Sequence, residues 1–134
     1  MAETFELELA TPERLVVRER VAEAQIPALN GYLGILPGHA PLLSEMAAGY
    51  LSYTAGGRKQ YLAVNGGFVE VGGDRVRILA DTAEKADEID VARAEASLKR
   101  SQERLAGGQP GVDAARALGA AHRAQARIDA ARSR

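Results

Sequence analysis

Phe5, Leu7 and Leu9 alternate with Glu6 and Glu8 at the start of the chain, the period of a strand with one face in water and one on a core. Thr11-Pro12 separates this run from Arg14–Arg20. Gly56-Gly57, Gly66-Gly67 and Gly72-Gly73 then punctuate Tyr50–Thr54, Gln60–Val64 and Phe68–Val71, and Val76 and Ile78 continue the alternation. Glycine supplies the positive φ that tight hairpins need. Many short strands with regular turns predict an antiparallel sandwich or barrel, and no helix longer than a turn is needed before Ala83. Ile26 to Leu43 breaks the rhythm: Pro37 and Pro41 frame Gly38-His39-Ala40, and proline is barred from central ladder positions. This stretch reads as an apolar, restricted loop for packing or contact.

Across Thr82 to Arg104 the apolar period changes from two to between three and four. The pattern predicts a helix from about Ile89 to Ala106, with Asp87 or Glu88 near its start, favourable against the helix dipole, and a seam of Val91, Ala94, Leu98 and Leu105. Gly107-Gly108 stops it and Gln109-Pro110-Gly111 turns the chain. A second helix from about Val112 to Ala131 draws its seam from Ala114, Leu118, Ala121, Ala124 or Gln125, and Ile128. The result is an αα-hairpin with a largely alanine interface. Burying a Leu or Ile contributes ~1.5–3 kcal/mol but one methyl nearer ~0.8, so the hairpin is expected to dock weakly. Its alanines keep each helix intact when undocked. The fold class is α+β, mainly β: an N-terminal antiparallel β-sandwich (1–85) followed by a two-helix antiparallel hairpin (86–134) that moves.

Composition sharpens this in one respect. The 134-residue chain is 46% hydrophobic and 26% charged, globular rather than disordered. Its net charge of −1 divides unevenly: residues 1–88 carry −5 and residues 89–134 carry +4. At about 100° per residue, Arg100 and Arg104 lie within about 20° of Arg93 around the first helix. Arg116, Arg123 and Arg127 repeat that spacing on the second, and Arg134 continues it. Two such stripes repel unless an anion lies between them, and guanidinium forks match phosphate oxygens. The competing view is a solvated face, with Asp90 and Arg93 as local helix support.

Gly34-Ile35-Leu36-Pro37-Gly38-His39-Ala40-Pro41-Leu42-Leu43 resembles the signature loop of the epsilon subunit of the rotary F-type ATP synthase. Asn65-Gly66-Gly67-Phe68-Val69-Glu70-Val71 resembles a second motif of that family and Leu79-Ala80-Asp81-Thr82-Ala83 a third. Ile89-Asp90-Val91-Ala92-Arg93-Ala94 is similar to its nucleotide motif, Ile/Leu-Asp-x-x-Arg-Ala. The resemblance implies a non-catalytic central-stalk subunit of a proton-translocating ATP synthase, peripheral at the cytoplasmic face of the cell membrane. Its sandwich would dock on the gamma subunit and the membrane rotor ring of c subunits, with the loop at Asn30-Gly31-Tyr32 toward the ring, His39 near gamma, and Pro37 and Gly38 also at the partner interface. Tyr32 stands where relatives often carry an acidic residue. The hairpin would extend toward the alpha and beta subunits and hinder ATP hydrolysis, or fold back and bind ATP as a regulatory ligand. Carried over by position, the nucleotide-binding residues are Glu84, Asp90, Arg93, Arg100, Arg116, Arg123 and Arg127. Asp90 would either orient Arg93 or accept from adenine or ribose.

Other classes have less in their favour. The chain has no Gly-x-x-x-x-Gly-Lys-Ser/Thr loop for phosphates and magnesium. With two histidines, His39 and His122, and no cysteine, no metal is expected. No apolar run reaches the ~18 residues of a membrane span, and the first strand is not a signal peptide. The runner-up is a basic hairpin that binds nucleic acid, disfavoured by the acidic overall balance and few aromatics.

Overall fold

The computed structural model describes residues 3–107 and 111–133. Ten strands come first: β1 (Phe5–Ala10), β2 (Leu15–Val21), β3 (Glu23–Ala28), β4 (Gly31–Ile35), β5 (Leu42–Glu45), β6 (Gly49–Ala55), β7 (Arg58–Asn65), β8 (Phe68–Gly72), β9 (Arg75–Leu79) and β10 (Thr82–Lys85). A 3-10 turn, Ala86–Glu88, leads to α1 (Val91–Gly107) and α2 (Ala114–Arg132). Sheet one has the order β2-β1-β9-β8-β5 and sheet two β10-β7-β6-β3-β4. Between them lie Phe5, Leu7, Leu9, Ile26, Ile35, Leu51, Leu62, Val64, Val69, Val71, Val76 and Ile78, all buried. These are the alternating apolar positions, so parity along each strand decides which side chains leave water. The sandwich-plus-hairpin fold is as expected.

Four details differ from the sequence pattern. Sheet one is not wholly antiparallel, because β1 pairs with β9 in parallel register from Glu6↔Arg75 to Ala10↔Leu79. The stretch 26–43 is not a single loop: it holds the end of β3, all of β4 and the start of β5. Its prolines hid this, but Pro37 and Pro41 both fall between strands, and Pro27 lies beyond Gln25, the last β3 residue paired with β6. Thr82–Lys85 continues the sheet, pairing with β7 from Thr82↔Asn65 to Lys85↔Leu62. Finally, α1 begins at Val91, and Asp87 and Glu88 belong to the separate 3-10 turn. Of the expected loop between the helices, Gly108, Gln109 and Pro110 lie outside the described residues, as does Arg134.

Two glycine-bearing motifs serve the fold. Gly66 (φ 67°) and Gly67 (φ 90°) turn β7 into β8 in the left-handed region. A Cβ on Gly67 would overlap the Leu79 carbonyl oxygen, and one on Gly66 would overlap the Asp81 carboxylate. The Gly67 carbonyl accepts from the Met46 N–H at 2.9 Å and the Asn65 carbonyl from the Asp81 N–H at 3.1 Å. The Asn-Gly-Gly and Leu-Ala-Asp-Thr-Ala motifs are thus two turns packed against each other. Gly67→Ala combines backbone strain with a backbone collision and should cost more than ~2 kcal/mol. Gly72→Ala, at a negative φ with open space around its Cα, should stay within ~1 kcal/mol of the parent; urea unfolding of both variants measures the contrast.

Candidate functional site

The hairpin lies on the outer face of sheet two. Helix α2 packs on β6, β7 and the 3-10 turn, and α1 packs on α2. Below α2, Ser52 and Ala63 are buried small residues of the sheet; the helix supplies Ala117, Ala121, Ala124, Ala126, Ile128, Ala130 and Ala131. Helix α1 contributes only Ala94 and Ser101 as buried side chains, and the Ser101 hydroxyl donates to the Ser97 carbonyl at 3.0 Å. The expected seam is corrected at both ends of the list. Leu105 and Leu118 are 40% and 47% exposed, and Ala114 and Gln125 also face water. Small side chains take the inner positions because they let the helix axes and sheet approach closely, which leaves the leucines at the margins. Ile128 is then the one large apolar side chain that the arm buries among the described residues.

Both helices start in the same way. Asp90 Oδ1 accepts from the Arg93 N–H at 3.0 Å, and Asp113 Oδ1 from the Arg116 N–H at 3.1 Å. Asp90-Val91-Ala92-Arg93-Ala94 and Asp113-Ala114-Ala115-Arg116-Ala117 are near-copies, each an aspartate N-cap followed four residues later by a buried alanine, Ala94 or Ala117. In this compact form the motif aspartate therefore closes a helix. It bonds to the backbone of Arg93, a role legible from the sequence had the second copy been compared with the first.

The seven residues singled out from the sequence do not share one pocket. A cleft of about 210 Å³ between the hairpin and sheet two is lined by Glu84, Thr82, Asn65, Ser97, Arg123 and Arg127, among others. In it Arg127 Nε donates to Glu84 Oε1 at 2.6 Å, with both side chains partly exposed. A second, more open cleft of about 580 Å³ near the helix–helix connection is lined by Arg104, Arg116 and Arg123 with Asp113. Ala120 and Arg123 line both. Arg93 and Arg100 are exposed and line neither. The stripes thus meet through Arg104 on the α1 side, a residue whose phase was visible but which the family motif does not name. Among the described residues the one ion pair within the arm joins Arg132 to Glu95 at 2.8 Å.

The contact residues separate to the two ends of β4. Tyr32, at its start, turns its ring over Tyr50 with centroids 5.2 Å apart, and Tyr50 in turn meets Tyr61 at 6.1 Å. Partial burial pushes the Tyr32 phenol up, against a hydrogen bond from the Tyr50 backbone; Tyr50 and Asp129 of α2 add to the rise. Leu29, in the adjoining turn, is the exposed apolar side chain there. Beyond the other end, the His39 N–H donates to the Leu36 carbonyl at 3.1 Å. Pro37 followed by Gly38 at φ 81° has the order of a type II turn, and His39 Nδ1 lies 2.7 Å from the Ala40 carbonyl. His122 is exposed on α2. Sequence reasoning missed a third surface: the register Glu45↔Phe68↔Leu79↔Ala10↔Leu15 runs across sheet one, and Phe68, Leu79 and Leu15 on it are exposed. The signal was parity, since each is apolar where its strand's wet face falls.

A ten-stranded sandwich carrying an arginine-rich helical hairpin on one sheet, with exposed apolar side chains on the other, defines a small two-part protein of the sandwich-plus-hairpin class. Residues 4–86 match the family model for the ATP synthase delta/epsilon chain β-sandwich domain, and residues 87–132 match that for its long α-helix domain. The chain belongs to the ATP synthase epsilon-chain family. It is 56% identical over 128 residues to the ATP synthase epsilon chain of Solibacter usitatus, covering 96% of both chains. It is 45% identical to that of Desulfitobacterium hafniense strain Y51, covering 99% of this chain and all of the relative. A chain in the mitochondrial ATP synthase of Euglena gracilis shares the fold with a TM-score of 0.83 at 24% identity, over 96% of this chain and 81% of that one.

The cap assignment separates two roles for Asp90. Asp90→Ala should destabilise the first turn of α1 by ~1 kcal/mol, seen as faster amide exchange at Arg93 and Ala94. Asp90→Asn retains the cap and should leave exchange near the parent rate; any loss of nucleotide affinity in Asp90→Asn then reports ligand contact alone.

Proposed function

We propose that this chain is the non-catalytic epsilon subunit of a proton-translocating ATP synthase, placed in the central stalk and peripheral at the cytoplasmic face of the cell membrane. The sandwich couples gamma to the rotor ring of c subunits. Gamma docks on the apolar row Leu15, Leu79 and Phe68 and on the turn of Pro37, Gly38 and His39, while the Leu29 to Tyr32 end faces the ring. The separation of these surfaces to different parts of the sandwich supports two partners rather than one. The hairpin extends toward alpha and beta to hinder hydrolysis, and its compact form takes ATP without hydrolysing it.

The observation that carries this reading is the pairing of Arg127 with Glu84 beneath an alanine interface. Apart from Ile128, only small side chains of the arm are buried among the described residues, so polar contacts at its edge have leverage over its posture. The guanidinium that meets Glu84 lies beside Arg123, which has no acidic partner among the described residues. A bound triphosphate would give Arg116 and Arg123 an anion and compete with Glu84 for Arg127. A ligand that binds only the compact arm opposes extension. Arg93 and Arg100, exposed on α1, enter this site by the motif and would have to swing inward. No observation favours nucleic acid over the family's own partners.

Arg123→Ala should weaken ATP binding by the chain about tenfold or more, since a charge-assisted hydrogen bond is worth ~1.5–3 kcal/mol; calorimetric titration measures it, and unchanged affinity removes the nucleotide site. In the assembled complex, truncation at Asp87 should raise the ATP hydrolysis rate. No gain at any nucleotide concentration would remove the inhibitory role while leaving coupling intact.

A further inference from the structure

Between the sandwich and α1 the chain is locked twice, with one residue between the locks. The first lock is Glu88. Its Oε1 accepts from Arg14 Nη2 at 3.0 Å and from the Lys85 N–H at 3.0 Å, while Oε2 accepts from Arg14 Nη2 at 3.2 Å. Arg14 is itself fixed in the β1–β2 turn, where the Thr11 N–H donates to the Arg14 carbonyl at 2.9 Å and the Arg14 N–H to Thr11 Oγ1 at 3.3 Å. Thr82–Lys85 is a paired strand, and Ala86 is buried. The second lock is Asp90, which caps α1 from its own side chain. Ile89, extended at φ −81° and ψ 127°, is left between a turn held by the sandwich and a helix that closes itself.

We infer that the arm pivots at Ile89, with the linker through Glu88 remaining on the sandwich under the Arg14–Glu88 clamp. The arm therefore leaves from a fixed post, and its reach is set from residue 89 rather than from the end of the sheet. This rests on the reading of a detachable arm. The clamp joins residues 74 apart in sequence, so nothing local to the linker holds Glu88 to the β1–β2 turn. The Arg14 guanidinium and the Lys85 N–H hold the Glu88 carboxyl below the usual carboxylate range, so it is ionised at neutral pH. A pivot at Ala86 or Asp87 would have to break the bonds of Glu88 to Arg14 and to the Lys85 N–H, and one earlier still would unpair β10 as well. A pivot at Ile89 breaks neither lock.

The chain has no cysteine, so pairs of introduced cysteines take spin labels without background. One label at Glu70→Cys on sheet one is paired with a second at either Asp87→Cys or Ala96→Cys in the full chain. Ala124→Glu places a charge in the buried seam to free the arm. Arg127→Ala frees it without altering the core and repeats the comparison if the first variant folds poorly. In the freed arm the 70–96 distance distribution should broaden while 70–87 keeps its parent width, and adding Arg14→Ala should broaden 70–87 as well. Broadening of 70–87 to match 70–96 before Arg14 is changed overturns the pivot, and a 70–87 width indifferent to Arg14→Ala overturns the clamp. If neither pair broadens in either freed variant, the arm does not detach, and the underlying reading falls with the inference.

Discussion

The structure turns on the contact between α2 and the outer face of sheet two, in which, Ile128 apart, the buried side chains of the helix are alanines. Ser52 and Ala63 below meet an alanine-lined helix above. Each buried methyl contributes ~0.8 kcal/mol, against ~1.5–3 for a full aliphatic side chain. The sandwich interior shows the opposite choice: Leu7, Leu9, Ile26, Leu51, Leu62 and Ile78 are each fully buried. One chain therefore contains a core of large aliphatic side chains and a second interface built largely of alanine. Small residues also let the helix lie close to the sheet, and at the edge of that contact Arg127 reaches Glu84 on β10.

That difference explains what could be read in advance. Strands with a dry face announce themselves, because Leu7 or Ile78 in a polar run has one physical explanation. The glycine pairs were equally legible, since Gly66 and Gly67 sit at φ values that other residues rarely adopt. The failures fall where patterning was interrupted for another reason. Pro27, Pro37 and Pro41 suppressed the strand signal across β3 to β5 although none breaks a central pairing. Thr82–Lys85 is too short and polar for its period to register, and only Ala83 and the pairing with β7 mark it as sheet. Leu105 and Leu118 misled through the rule that large apolar residues go inside, which fails when the interface is selected for closeness instead of area.

The candidate site was legible in composition and less so in geometry. Helical phase placed Arg116, Arg123 and Arg127 together, and the clefts keep them near one another. It also placed Arg93 with Arg100 and Arg104, but an aligned stripe on one helix does not say which members face the partner helix. Arg104 does, at the hairpin's far end. Asp90 shows the same gap: a carboxylate three residues before an arginine suggests a side-chain pair, whereas the helix terminus offers a backbone N–H that is nearer and otherwise unsatisfied. The near-copy at Asp113 decides for the cap because it recurs at the second helix start.

Division of labour along the linker then follows from charge placement. Acidic residues cluster at its start, with Glu84, Asp87, Glu88 and Asp90 within seven positions of the acidic half's end, while the arm beyond is basic. Three of the four are committed: Glu84 to Arg127, Glu88 to Arg14 and Asp90 to its helix. Of these, only the Glu84 contact crosses from sandwich to arm. On the proposed pivot at Ile89, opening would uncover one carboxylate on the sheet and one guanidinium on α2, both partly exposed in the docked arm. On the proposed function, an anion that replaces Glu84 as the companion of Arg127 would act at the ion pair that, among the described residues, joins the two halves, and its effect on posture would need no signal to travel farther than that side chain.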